Sequence, residues 1–147
     1  RAENLVGLPR LWVGQFEALR DDCRLLREQR ETHVVSVMSG DKEALPADLI
    51  RGHLHVRVDD TEEEAGSLAA SFPAIADFID GALSTGGVVF VHCGAGISRS
   101  VTATCAYLVR KYSLSAADAI SLVRRARPCA SPNEGFVAAL ERWAAAA

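Results

Sequence analysis

The spacing of apolar and polar residues changes several times along the chain, and each change marks an element. Residues 11–13 are a short apolar run closed by Gly14, which predicts a strand. Phe16, Leu19, Cys23 and Leu26 then fall at helical spacing, giving a helix over about residues 15–30. Residues 33–38 (HVVSVM) form a continuous, largely β-branched run, as a buried strand does, and Ser39-Gly40-Asp41 breaks it. Residues 46–50 connect to a further strand, on which Leu54, Val56 and Val58 alternate with polar positions. The acidic stretch DDTEEEAG, 59–66, reads as a loop. Leu68, Phe72, Ile75, Ile79 and Leu83 recur every three or four residues, predicting one helix over 67–83 that ends at Ser84-Thr85-Gly86-Gly87. VVFV, 88–91, is a short apolar strand at the centre of a sheet, and a Gly-rich loop, 92–98, follows it at once. Val101, Cys105, Leu108 and Val109 mark a helix to about Lys111. Ser115 and Asp118 form a variant capping box that opens another helix through about Arg125. Pro128 ends that region, and a last helix runs from about Asn133 to Trp143. Strands alternate with helices, which is the α/β class, in one domain over residues 1–147.

Composition adds limits rather than chemistry. The 147 residues suit one domain, and 49% hydrophobic with 24% charged residues excludes disorder. A net charge of −3 and a pI near 5.8 predict no bulk attraction to nucleic acid or to an anionic membrane. No apolar run reaches the length of a membrane span, and RAENLVGLPRLWVG does not read as a signal peptide. Cys23, Cys93, Cys105 and Cys129 are far apart with no Cys-x-x-Cys pair, so a reducing compartment is expected rather than a disulfide framework or zinc ribbon.

Chemistry concentrates in VVFVHCGAGISRSVTATCAYL, residues 88–108, a strand, a tight loop and a helix. Cys93 and Arg99 are separated by Gly94, Ala95, Gly96, Ile97 and Ser98. A loop that turns successive N–H groups inward cradles an anion, and the positive end of the following helix adds to the field. The Arg99 guanidinium can grip two anion oxygens with a forked pair of bonds. The same field favours the thiolate form of Cys93, so nucleophile and phosphate site are one structure. Ser100 follows Arg99, and its hydroxyl is placed to bond the sulfur. A phosphoryl transfer also needs an acid for the leaving oxygen, and Asp59 and Asp60 stand on a loop after a strand.

HCGAGISRS is similar to the Cys-x5-Arg signature of the protein tyrosine phosphatases, and its GISRS ending resembles the dual-specificity branch. The resemblance covers almost the whole chain, from LPRLWVG and THVVSVMS through VRVDDTEEE and FPAIADFIDGAL to SPNEGF. It implies a central, mostly parallel sheet of about five strands flanked by helices. It also implies a phosphoprotein phosphatase that needs no metal or cofactor and works in two steps. Cys93 attacks phosphorus while an Asp protonates the leaving oxygen, and the same Asp then activates water against the phosphocysteine. Residues 94–99 hold the phosphoryl oxygens, and a shallow pocket admits phosphoserine and phosphothreonine as well as phosphotyrosine. The family uses one acid where this chain offers two, and register from Val56-Arg57-Val58 favours Asp60. The family often has an apolar or aromatic residue shortly after the acid, where this chain has Thr61-Glu62-Glu63-Glu64.

The remaining candidates have plainer readings. His92 orients and hydrogen-bonds around Cys93, and Asn133 is a helix N-cap or loop brace. His53 and His55 share a strand face without further metal ligands, so they read as structural or exposed. Cys23, Cys105 and Cys129 read as structural, Glu62 to Glu64 as a solvated face, and Trp12 and Trp143 as packing residues. The expected partner is a phosphoprotein, with no nucleic acid or membrane, for a monomer in the cytoplasm or nucleus. The competing functions are a phosphatase of lipid, RNA 5′-phosphate or glucan, and a phosphate-binding scaffold without turnover. GAGIS lacks the lysines of phosphoinositide-specific loops, which lowers the lipid reading.

Overall fold

The structure, a computed structural model, describes residues 2–5, 7–42 and 44–146. Strands β1 (Ala2–Leu5), β2 (Leu8–Gln15), β3 (His33–Val37), β4 (Gly52–Val56) and β5 (Val89–Cys93) pair in the order β1-β2-β5-β3-β4. β1 runs antiparallel to β2, and the other three pairings are parallel. Six α-helices among the described residues surround this sheet: α1 (Arg20–Glu28), α2 (Ala65–Ala70), α3 (Phe72–Ser84), α4 (Arg99–Tyr112), α5 (Ala116–Ala126) and α6 (Glu134–Ala146).

β5 is buried along its whole length because it lies mid-sheet with helices on both faces. Successive side chains alternate between those faces. Val89 and Val91 enter the larger core with Val101, Leu108, Ile79, Val123, Phe136 and Leu140. Phe90 enters the smaller cluster with Leu19, Cys23, Leu26 and Val34, and the next residue on that face, His92, stacks on its ring at 5.4 Å. α4 is apolar and small nearly all round, as a helix enclosed by others must be: residues 100–109 are all buried. Its buried hydroxyls are satisfied locally, Thr102 donating to the Ser98 carbonyl (2.7 Å) and Thr104 to that of Ser100 (2.8 Å). Trp143 packs edge-on to Phe72 and donates to the Ala106 carbonyl at 2.9 Å.

The α/β class and the mostly parallel five-stranded sheet agree with the sequence expectation; several local boundaries do not. The first strand is longer than residues 11–13, running over Leu8–Gln15, and β1 precedes it. The helix expected over 15–30 begins as a 3-10 turn, Phe16–Leu19, before α1. The single helix expected over 67–83 is two, α2 and α3, meeting at Ser71. Pro73 lacks the N–H that a continuous helix would need there. The acidic loop contains a 3-10 turn, Glu62–Glu64, and Val58 lies beyond the end of β4. Cys129, read as structural, is exposed.

Candidate active site

The parallel pairing brings the end of β2 beside the end of β5, Gln15 opposite Cys93, and the loop 94–98 leaves from that edge. Ligands in open α/β sheets sit at this carboxyl end of the strands. The loop's carbonyls account for its shape. Gly94 accepts from Phe16 N–H (3.1 Å), Ala95 from Arg127 Nη2 (3.1 Å), Gly96 from Arg127 Nε (2.6 Å) and Ile97 from Ser131 N–H (2.7 Å). The Ser98 carbonyl accepts from Thr102 N–H at 2.9 Å, inside the first turn of α4. In a trans peptide the carbonyl and the following N–H point in opposite directions. Four carbonyls tied to the outside therefore turn the N–H groups of Ala95, Gly96, Ile97 and Ser98 to the inside. Among the described residues none of these four donates to a protein acceptor. That is a cradle for an anion at a helix N-terminus. Gly96 is indispensable to it. Its φ is +70°, and a Cβ there would lie 2.6 Å from the Gly14 backbone and 2.8 Å from Arg127 Nη2.

Cys93 is 2% exposed, with Sγ 3.2 Å from Ser100 Oγ. Arg99 donates through Nη1 to the Val58 carbonyl (3.1 Å), which anchors the base of the acidic loop. Its Nε is buried without a hydrogen-bond partner, a free donor beside the cradle. Asn133 makes three contacts at once. Its N–H donates to Ser98 Oγ (3.0 Å), its Oδ1 accepts from Phe136 N–H (2.9 Å) and caps α6, and its Nδ2 donates to Asp60 Oδ1 (2.9 Å). Asp60 is thus linked to the loop through one side chain. Asp59 instead turns its N–H to Glu64 Oε1 at 3.4 Å, within its own segment.

A buried thiol, an inward N–H cradle, a guanidinium and a tethered carboxyl meet around one loop, and the chain can be compared with known proteins along its length. Residues 11–146 match the family model for the dual specificity phosphatase catalytic domain. The chain belongs to the dual specificity phosphatase family. It is 39% identical over 131 residues to dual specificity protein phosphatase 1 of Arabidopsis thaliana, covering 89% of this chain and 64% of that protein. The chain thus spans just under two thirds of that relative's length. In fold it is similar to the Yvh1 phosphatase domain from Chaetomium thermophilum (TM-score 0.83, 33% identity, 97% of this chain and 95% of that one). It also resembles the human tyrosine phosphatase-like serine/threonine/tyrosine-interacting protein (TM-score 0.87, 28% identity, 99% and 96%).

In this dual specificity phosphatase domain the His92 ring packs against Phe90 and Phe16. Its Nε2 lies 2.6 Å from Ser36 Oγ, which lies 2.7 Å from Nε2 of His53. A hydroxyl has one proton, so Ser36 donates to one ring and accepts from the other. Burial lowers His92 to about 4, and burial with the charge of Lys42 lowers His53 to about 4, so both rings are neutral at pH 7. His53 and His55 stack at 6.3 Å, and His55 Nε2 donates to the Met38 carbonyl at 2.9 Å. No group of three or more His, Cys, Asp or Glu side chains is placed to hold a metal ion among the described residues.

Two parts of the site escaped the sequence reading. One is the Ser36 bridge, which depends on strand order: β3 and β5 are adjacent, with Ser36 opposite His92. The other is Arg127, 5% exposed, which supplies two of the four carbonyl ties. A signal for it did exist. The buried face of α5 carries Ala116, Ala119, Ile120 and Val123, and the next position in that register is 127. An arginine on an apolar stripe has a buried task, unlike its exposed neighbours Arg124 and Arg125.

Proposed function

We propose that this domain hydrolyses phosphotyrosine, phosphoserine and phosphothreonine in proteins through a phosphocysteine on Cys93. Thiolate Sγ forms a bond to phosphorus as the bond to the leaving oxygen breaks. Asp60 protonates that oxygen. The N–H groups of residues 95–98 and the Arg99 guanidinium hold the three non-bridging oxygens and take up their charge. Water then gives a proton to Asp60 and its oxygen to phosphorus, the S–P bond breaks, and the Ser100 hydroxyl steadies the departing thiolate. Substrate charge is met by the chain's own donors and a thiolate is the nucleophile, so the scheme calls for no metal. Ile97, 38% exposed in the loop, offers an apolar contact to the substrate side chain.

The observation that carries this reading is the outward anchoring of four consecutive carbonyls next to Cys93. The Asn133 contact supports Asp60 over Asp59 as the acid. A free thiol at the reacting centre suits a reducing compartment, cytoplasm or nucleus. The test is hydrolysis of an aryl phosphate and of phosphorylated peptides with chelator present. Turnover is expected from the native protein and none from Cys93→Ser. Turnover in Cys93→Ser, or phosphate binding without turnover in the native protein, refutes the reading.

A further inference from the structure

Arg127 takes no part in the phosphoryl transfer just described, yet its side chain is nearly all buried and devoted to the loop. Nε donates to the Gly96 carbonyl and Nη2 to that of Ala95, while Nη1 meets Glu3 Oε1 at 2.7 Å. The pair joins the polypeptide just after α5 to β1, the edge strand, across the back of the loop. A buried guanidinium is tolerated where acceptors and a counter-charge surround it. Here Glu3 supplies the counter-charge and the loop supplies the acceptors. The fit is close on both sides, because Gly96 is pressed between the Gly14 backbone and Nη2 with no room for a Cβ.

The planar peptides turn this clamp into a functional part. Holding the Ala95 carbonyl outward aims Gly96 N–H inward, and holding the Gly96 carbonyl outward aims Ile97 N–H inward. We infer that Arg127, braced by Glu3, is a positioning residue that sets two of the four cradle donors from behind the loop. The inference rests on the phosphatase reading for its consequence in turnover, but the cradle geometry can be tested without turnover. Lysine cannot replace the fork, since one ammonium point cannot keep two adjacent carbonyls and a carboxylate in the same planar arrangement.

The experiment uses Arg127→Met, Arg127→Lys and Glu3→Gln. Each is made in the native background and in a Cys93→Ser background, with thermal melts to verify folding. Inorganic phosphate is titrated calorimetrically into the Cys93→Ser series, and the rate of Cys93 alkylation by iodoacetamide is measured at one fixed pH in the native series. For folded Arg127→Met we expect phosphate affinity to fall about tenfold or more, and kcat/KM to fall about 100-fold, the usual scale for a misaligned donor. Alkylation of Cys93 should change in rate, because the N–H groups beside Sγ no longer converge on one point. Arg127→Lys should recover part of both, and Glu3→Gln should show a smaller loss of the same kind. Unchanged phosphate affinity and an unchanged alkylation rate in folded Arg127→Met overturn the inference. If Arg127→Met does not fold, the same two readouts on Glu3→Gln and Arg127→Lys decide, and native values in both overturn it. Turnover retained in Cys93→Ser would sink the phosphatase reading alone, because phosphate affinity still reports on the clamp.

Discussion

Glu31 follows α1 and is fully buried, with neither carboxylate oxygen meeting a hydrogen-bond partner. Burial pushes its carboxyl up from the usual 4.5 to about 8. Across the interval between those values the native state holds a proton that the unfolded chain has released. Stability therefore falls as pH rises through that window. At about 1.4 kcal/mol per pH unit, the full loss by pH 8 and above is about 5 kcal/mol, and the loss between pH 5 and pH 8 is about 3–4 kcal/mol. That is a large share of a small domain's stability of about 5–15 kcal/mol. Glu31→Gln keeps the shape and removes the titration. Urea melts at pH 5, 6, 7 and 8 on both proteins should give similar stabilities at pH 5, and the variant should gain steadily as pH rises. Parallel curves from pH 5 to 8 would mean that the native carboxyl is solvated or paired, and the burial argument would be wrong.

Three further outcomes follow from the site. Asp60→Asn should lower kcat about 100-fold or more at neutral pH, whereas Asp59→Asn should stay within a few-fold; steady-state rates on an aryl phosphate with a poor leaving group separate them. Ser100→Ala should keep a rapid burst of phenol release but slow the steady state roughly tenfold, the rate equivalent of one hydrogen bond of about 1.5 kcal/mol. A stopped-flow trace without that burst would place the hydroxyl elsewhere in the cycle. Gly96→Ala should cost about 2 kcal/mol or more in a denaturant melt, because the new methyl meets backbone at a left-handed position. Stability within experimental error of the native protein would contradict the fit described for the loop.

The strand–loop–helix around Cys93 was legible because each part is local. VVFV has no polar interruption, the glycines mark the loop, and the helix shows its own period. β1 was not, since AENL is a polar edge strand defined by pairing with β2 rather than by an apolar pattern. The break at Ser71 hid because Leu68 and Phe72 enter the same core from two helices, leaving the spacing intact across Pro73. Among the candidate site residues, Cys93, Arg99 and Ser100 lie within one motif, so spacing alone brings them forward. The link from Asp60 to the loop runs through Asn133, which lies 73 residues away, so no short-range spacing announces it. Arg127 and Ser36 depend on tertiary placement, one reaching back from the end of α5 and the other opposite His92 on a neighbouring strand. Such contacts leave no short-range pattern, apart from the arginine's place in an apolar register.

The most direct test of the central claim is capture of the covalent intermediate. The protein is mixed with a phosphorus-labelled aryl phosphate, quenched in acid within milliseconds, digested and mapped. Label is expected on the peptide carrying Cys93, approaching one equivalent per chain in Ser100→Ala and absent in Cys93→Ser. Label on any other residue, or turnover with no labelled Cys93 at any quench time, would contradict it.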